Sequence, residues 1–364
     1  MKDSESGFLA KPRFKARQHH RGEPCAQRNE GTPHNRSMTT TKDLAAMRIG
    51  IVGLGSSHID HFMRFFGPAG ALSARGSITA LGLMDTPYAD SFPDGPQERI
   101  EDLLAGQDRP VPFFYGTPDV VAHAMAPHVD VVIVGDRDSR SHADHALPFV
   151  SHGLPVFVDK PLAANESQAV ALLDARLIGS HQPPAIQSFS ALRYHPRTQC
   201  ARERIQASAR SGPPATATVS GPYTHSSPYG SDFYAVHAVE VGLALLLGPL
   251  ETVTVMSRDT SGMTARLTTT HQGELQQVFI QILETDPNAY LAHTIQLQDE
   301  QPQRLNLGPD YLRPAMTQWL DSMDDHCAAL TDQELLAPVR VLDALLGRAR
   351  DSAPSGDCDS YQAC

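Results

Sequence analysis

The stretch MRIGIVGLGSSHIDHFMRFFG, Met47 to Gly67, contains a strand, a glycine turn and an amphipathic helix in direct succession. Arg48 to Gly53 is a short apolar run rich in Ile and Val, which is typical of a buried strand. Apolar residues then recur at helical spacing until a Gly-Pro pair ends the pattern. The intervening Gly53-Leu54-Gly55 can hold a phosphate against the helix N-terminus. The stretch therefore predicts a nucleotide-binding turn, with a plain strand-to-helix turn as the alternative.

Length and charge limit the classes of function. At 364 residues and 41% hydrophobic content, the chain is long enough for two domains with sizeable cores. Its net charge of -11 repels nucleic acid and anionic lipid, so we expect a small-molecule partner and neither nucleic acid nor membrane. The five cysteines have no CxxC spacing, and no apolar run has the ~18 residues of a membrane helix. We expect a cytoplasmic protein without a disulfide framework.

Strand and helix patterns alternate in the first half of the chain. Residues 1–46 are polar and lack periodicity, which predicts a disordered tail. After the strand at Met47, further candidate strands lie at 78–85, 113–115, 129–135 and 155–159, with helical patterns between them. This alternation predicts an α/β domain with a doubly wound parallel sheet over residues 47–163.

The pattern changes after about residue 165. Long alternating runs at 263–270, 274–284 and 290–299 indicate a mostly antiparallel sheet. They predict a C-terminal α+β domain over residues 164–350 for substrate binding and oligomerisation, followed by a polar tail at 351–364. The alternation places Val278, Ile280 and Ile282 on one side of a strand. Because one face of this sheet is expected to be uncovered, we predict a homodimer or homotetramer built on it.

The glycine turn supplies the first candidate cofactor residues. In a dinucleotide site, the first glycine allows the tight turn, the second admits the pyrophosphate, and the third allows close packing of helix on strand. Gly53 and Gly55 match the first two positions, and His58 occupies the third, where a side chain is expected to crowd the helix. Ser56 and Ser57 lie at the helix N-terminus.

An acidic residue follows the second predicted strand. Asp85 can accept hydrogen bonds from both ribose hydroxyls, and the next residues, Thr86-Pro87-Tyr88, contain no cation for a 2'-phosphate. This favours NAD over NADP. The alternative for Asp85 is a turn residue at a strand end.

The stretch VDVVIVGDRDSRSHADHALPFVSHGLPVFVDKPLA, Val129 to Ala163, resembles the Gfo/Idh/MocA oxidoreductases. That family usually has Glu-Lys-Pro where this chain has Asp159-Lys160-Pro161. The similarity continues, in order, at 188–196, 221–240 and 334–346, so that it covers nearly all of residues 47–350. The resemblance implies a Rossmann-type domain and NAD-dependent hydride transfer to or from a sugar-like or polyol substrate.

The resemblance also implies roles for individual residues. Lys160 is expected at the cofactor end of the substrate pocket, where an ammonium can polarise a hydroxyl or carbonyl; the alternative is a surface lysine. The usual Thr-Pro-Asn is replaced by residues 136–139, Asp-Arg-Asp-Ser. The resemblance places further expected cofactor contacts at the ends of the later strands and in the loop that follows, at Gly135, Asp136, His142 and Asp159.

A helical pattern from Phe233 to Gly248 contains His237, the expected acid/base residue. The family often has Asp four residues before this His, one helical turn back. Here Phe233 occupies that position, and Asp232 is one residue out of phase. Support for the imidazole is therefore expected from Glu240 or Tyr234. The alternative is that His237 is a structural histidine.

Arg193 and His195 are similar to pocket-facing family positions, and an inter-domain salt bridge is the alternative for them. Metal is not expected, although HxxH and HxxE spacings occur. Two other functions stay open: an NAD-dependent glycoside hydrolase of the same fold, and a non-catalytic NAD-binding regulatory protein.

Overall fold

A computed structural model describes residues 46–88, 92, 96–177, 185–224, 227, 229–285, 292–298, 300–323, 328–348 and 360–362. All of them belong to one compact unit, Lys42–Cys364. Nearly all of the two predicted tails, 1–46 and 351–364, lies outside the described residues, so the disorder predicted there stays a prediction. No described helix combines the length and the apolar character needed to cross a membrane.

The first sheet has six strands, and every pair in it is parallel. They are β1 (Met47–Val52), β2 (Gly76–Met84), β3 (Phe113–Gly116), β4 (Val131–Val134), β5 (Val156–Val158) and β6 (Ile186–Gln187). Their order is β3-β2-β1-β4-β5-β6, so the topological switch point lies between β1 and β4. The predicted doubly wound sheet is confirmed. Strand β6 joins it from beyond residue 163, and the domain boundary there stays a prediction.

Nine α-helices occur among the described residues. They are α1 (Ser57–Phe66), α2 (Pro96–Leu104), α3 (Pro118–Met125), α4 (Ser139–Ser151), α5 (Glu166–Ala175), α6 (Pro196–Ser208), α7 (Asp232–Leu245), α8 (Arg313–Met323) and α9 (Asp332–Leu346). Helix α1 begins after the N-cap residue Ser56, whose Oγ accepts the backbone N–H of His58. Its apolar face packs in one core with Trp319 of α8.

The second sheet has seven strands. They are β7 (Ala217–Tyr223), β8 (Thr252–Asp259), β9 (Gly262–His271), β10 (Glu274–Glu284), β11 (Thr294–Leu297), β12 (Gln303–Arg304) and β13 (Ser360–Gln362). Their order is β12-β11-β7-β10-β9-β8-β13, and only the pairing of β10 with β7 is parallel. The mostly antiparallel sheet is therefore confirmed, and strand β13 joins its edge from the predicted polar tail.

Helix α7 covers the apolar face of the second sheet. Val278, Ile280 and Ile282 are fully buried in the core that this helix shares with β10, and a Cβ on Gly242 of α7 would lie 3.0 Å from Ile280. This corrects the expectation that their face is open for an oligomer. Alternation separates the two faces of a strand but does not tell which face is covered by another element of the same chain. The homo-oligomer stays a prediction.

Candidate functional site

The carboxyl ends of four parallel strands bring the predicted cofactor residues to one edge of the first sheet. Because neighbouring parallel strands end at the same edge, residues that directly follow them lie together at the switch point. The residues placed there are Gly53 after β1, Asp85 after β2, Gly135 after β4 and Asp159 after β5.

The turn after β1 fits a dinucleotide. Gly53 has φ of +76°, and a Cβ there would lie 2.5 Å from the carboxyl carbon of Asp136, so both conformation and space require glycine. The turn continues through Gly55, which is partly exposed, to the exposed Ser57 at the start of α1. Free N–H groups at a helix N-terminus bind phosphate. These residues can therefore hold the pyrophosphate of NAD.

His58 has a partner that the sequence does not reveal. Its Nδ1 lies 2.8 Å from Oδ2 of Asp159, and both side chains are buried. Burial acts to raise the pKa of Asp159, but His58 and Lys160 outweigh it and hold that pKa well below its usual range. This changes the interpretation of His58 as a side chain that crowds the helix. The close approach of α1 to the sheet occurs instead at Gly135, where a Cβ would lie 2.3 Å from Ile59.

A row of hydrogen-bonded side chains connects the ends of β2 and β4. Thr86 Oγ1 lies 2.9 Å from Nε2 of His145, whose Nδ1 lies 2.7 Å from Oδ2 of Asp136. Asp136 is 1% exposed and packs against the Gly53 turn. Its carboxylate therefore packs directly against the backbone of the turn at Gly53. Asp85 is exposed beside this row, as a ribose-binding residue requires.

The structure places a cation beside the segment that follows Asp85. Arg140 at the start of α4 lies with its Cζ 4.3 Å from the ring centre of Tyr88, while also pairing with Asp138. Residues 86–88 themselves contain no cation, but the fold brings the Arg140 guanidinium next to them.

His142 holds two loops together. It is completely buried, with Nδ1 2.7 Å from the carbonyl oxygen of Pro161 and Nε2 3.0 Å from that of Asp136. Both ring nitrogens face backbone carbonyls, and the predicted contact of His142 with the cofactor stays a prediction. Its role is to tie the loop after β4 to the loop after β5.

Lys160 is buried at the end of β5, with 3% of its surface exposed. Its Nζ lies 4.0 Å from the ring centre of Phe233 and 3.4 Å from the Phe233 carbonyl oxygen. Burial lowers the pKa of Lys160, although Asp159 and Asp232 oppose this. Such an ammonium can share a proton with a substrate oxygen.

His237 is partly exposed on α7, and its neighbours differ from those expected. Its Nδ1 lies 2.6 Å from Oγ of Ser190, and its ring centre lies 5.4 Å from that of His293. Desolvation of the ring among its packed neighbours, together with the nearby charge of Lys160, lowers the pKa of His237 well below 6.5, so the imidazole is neutral at pH 7. Asp232 is buried, with Oδ2 2.9 Å from Ser139 Oγ. The out-of-phase carboxylate is therefore used elsewhere.

The carboxylate of Glu240 is also used elsewhere. Its Oε2 accepts a hydrogen bond of 2.7 Å from Nε of Arg193, and it accepts the backbone N–H of Ser190. Burial raises the pKa of Glu240, while Arg193 opposes this. The expectation that Glu240 holds the imidazole directly is corrected: it reaches His237 only through Ser190.

Three other predicted residues have structural contacts. Arg193 is engaged by Glu240, and His195 caps α6, with Nδ1 accepting from Arg197 and Nε2 donating to the Asn306 carbonyl. The Tyr234 ring packs on Phe233. A substrate contact by Arg193 or His195 stays a prediction, as does a catalytic role for Tyr234. Within the described part of the chain, no group of three or more potential ligand side chains forms a metal site.

One signal in the sequence was missed. Lys160 is the only lysine after residue 42, and all other Lys or Arg positions in that part of the chain are arginines. A guanidinium cannot lose its proton at physiological pH, whereas a buried ammonium can. A lysine at the end of β5 is therefore compatible with proton transfer at that position, and its catalytic role stays a prediction. Ser190 and Phe233 had no comparable signal, because their contacts come from distant segments.

Comparison with known proteins agrees with this geometry. Residues 47–176 match the family model GFO_IDH_MocA, described as an oxidoreductase family with an NAD-binding Rossmann fold. No curated protein sequence matches the chain significantly.

Solved structures share the fold over most of the chain. One is myo-inositol dehydrogenase from Lactobacillus casei in complex with NAD(H) and myo-inositol, with TM-score 0.61 and 14% identity, covering 88% of this chain and 97% of that one. Another is the WlbA dehydrogenase from Bordetella pertussis in complex with NADH and UDP-GlcNAcA, with TM-score 0.58 and 17% identity, covering 88% and 99%. At these identities the likeness shows the fold alone.

Proposed function

Because residues 47–176 belong to the NAD-binding Gfo/Idh/MocA oxidoreductase family, we propose that the chain transfers a hydride between NAD and a hydroxyl-bearing carbon of a sugar-like or polyol substrate. Residues 47–163 would bind the cofactor and residues 164–350 the substrate. Neighbours in complex with myo-inositol and with a UDP-sugar support this substrate class. The bound nicotinamide would accept or donate the hydride.

The residues of this chain would handle the proton and the charge. When an alcohol is oxidised, the carbon loses a hydride, the hydroxyl loses a proton and a carbonyl forms. The neutral His237 would accept the hydroxyl proton, with Ser190 holding its Nδ1. The Lys160 ammonium would stabilise the negative charge that develops on the oxygen. Gly53, Gly55 and the start of α1 would hold the pyrophosphate.

The observation that carries the proposal is the buried Lys160, retained in a chain that otherwise uses arginine after residue 42. It lies at the end of β5 on the same sheet edge as the Gly53 turn, and its charge acts on His237.

A panel of sugars, inositols and sugar acids with NAD tests the proposal. We expect NADH absorbance at 340 nm to accumulate with at least one polyol. Cleavage of glycosides without net NADH would indicate the hydrolase instead. Tight NAD binding with neither reaction would indicate a regulatory protein.

Asp85→Ala is expected to weaken NAD binding by about 1–3 kcal/mol, because charge-assisted hydrogen bonds to the ribose are lost. Isothermal titration with NAD measures this. Asp102→Ala, an exposed change at the end of α2, serves as the matched control and should leave affinity unchanged. Equal affinity of the two variants would remove Asp85 from the site.

Glu240→Gln is expected to lower the free energy of unfolding by about 3 kcal/mol, because it leaves the buried Arg193 without a counter-charge. Urea unfolding without NAD measures the loss. Adding Arg193→Met to the same chain removes the isolated cation and should recover most of the stability. If the double variant is no more stable than Glu240→Gln, the ion pair is not the cause.

We also propose a cytoplasmic homodimer or homotetramer. The face of β10 opposite α7 carries Gln277, Phe279 and Gln281, which are partly or fully exposed. Sedimentation at micromolar concentration tests the assembly, and a monomer there contradicts it.

A further inference from the structure

An aromatic ring, that of Phe233, contacts the Lys160 ammonium. The family that this chain resembles often has a carboxylate at this position, four residues before the histidine. The Nζ of Lys160 lies 4.0 Å from the ring centre of Phe233, and its hydrogen bond goes to the backbone carbonyl of the same residue. Phe233 is one helical turn before His237 on α7. Lys160 therefore contacts the same turn of α7 that carries His237.

The charged groups around Lys160 come from three segments. Asp159 precedes it after β5, Asp232 lies at the start of α7, and both act to raise its pKa. Arg137, after β4, acts to lower it, and His237 lies within electrostatic range. Among the described residues no carboxylate forms an ion pair with the Lys160 ammonium. Asp159 binds His58 and the backbone N–H of Lys160, and Asp232 binds Ser139 and pairs with Arg348 at 3.9 Å.

The ring belongs to an aromatic cluster that connects α7 with the edge of the first sheet. Phe233 and Tyr229 have ring centres 5.3 Å apart. The guanidinium of Arg137 lies over Tyr229, 5.2 Å from its ring centre, and donates to its hydroxyl at 2.8 Å. Two cations at the ends of β4 and β5 are thus held by adjoining rings.

We propose that Phe233 is a positioning residue that takes the place of a carboxylate, holding the Lys160 ammonium by a cation–π contact. An aromatic face attracts a cation but cannot accept its proton. A carboxylate at the same position would stabilise the ammonium more strongly and compete with substrate for its N–H groups. The ring keeps the ammonium in place and leaves its acidity available to the substrate oxygen. The effect expected on the pH dependence of the rate rests on the proposed function, whereas the effect expected on the pKa of Lys160 does not.

The titration of Lys160 tests the proposal directly. Lysine labelled with 15N gives one Nζ signal from the chain after residue 42, assigned by its loss in Lys160→Arg. In Phe233→Leu the ring is lost and burial is kept, so the pKa of Lys160 should fall by about one unit. Phe233→Met is a second ring-free variant. Phe233→Tyr should stay within about 0.3 unit of wild type, and Phe233→Asp should raise the pKa.

Phe113→Leu, at the start of the edge strand β3, is the matched control and should leave the titration unchanged. With an active substrate, the ammonium is needed for alcohol oxidation, so rate is lost as pH rises through the pKa of Lys160. This basic limb should move to lower pH in Phe233→Leu by the same amount as the Nζ titration. An unchanged pKa in both ring-free variants, or an equal shift in Phe233→Tyr, overturns the proposal. If wild type oxidises no polyol, the proposed function fails while the Nζ titration still decides the role of Phe233.

Discussion

Lys160→Met is expected to lower the turnover number at least about a hundredfold, with NAD affinity within about twofold of wild type. The methionine side chain fills similar space but cannot stabilise the developing charge on the substrate oxygen. Steady-state kinetics with the active polyol and isothermal titration with NAD separate the two effects. A parallel loss of NAD affinity would place Lys160 in cofactor binding instead.

Lys160→Arg distinguishes charge from acidity at the same position. It keeps a cation, but a guanidinium does not share its proton near neutral pH. We expect turnover to remain at least about tenfold below wild type. Lys42→Met, a lysine in the predicted tail, is the matched control and should have wild-type turnover. Full activity of Lys160→Arg would show that a fixed charge is sufficient.

His237→Ala is expected to lower turnover by at least about a hundredfold with NAD affinity largely kept, because the acceptor of the hydroxyl proton is removed. The pKa of His237 lies well below 6.5. Since oxidation needs the neutral imidazole, wild-type activity should persist at pH 6.5 and fall only as the pH drops through that lower pKa. The variant should lack this acid limb in its pH–rate profile.

Two variants frame the result for His237. Ser190→Ala removes the hydroxyl at Nδ1 and should cost about tenfold, because the proton acceptor remains but is less firmly oriented. His271→Ala, at the far end of β9, should leave the rate unchanged. If His237→Ala retains wild-type turnover across the pH range, the proton is transferred by another route and the alternative of a structural histidine gains support.

The fold was predictable because its signals are local. The strand, glycine turn and helix at residues 47–67 occupy consecutive positions, and Gly67 ends the helix as expected. Long alternating runs likewise identified β9 and β10. What alternation could not give was the covering of the Val278, Ile280 and Ile282 face, because that depends on where α7 packs.

The site was predictable only where the backbone imposes it. Gly53 and Lys160 follow strands of one parallel sheet, so their meeting at one edge follows from topology. The partner of each side chain did not follow. His58 pairs with Asp159, and Glu240 with Arg193, across 101 and 47 residues of sequence. Such pairs depend on how segments dock, which no local spacing records.

The burial of Lys160 also makes it a reporter of motion. An amine that is 3% exposed reacts with an electrophile only when the structure around it opens, so its modification rate measures the free energy of that opening. With no other lysine after residue 42, mass spectrometry of the fragment that contains residue 160 reads this rate without interference. NAD bound across the same edge should slow the reaction in proportion to its affinity. The modification rate of Lys160 thus also measures local opening at the carboxyl edge of the first sheet, without any substrate.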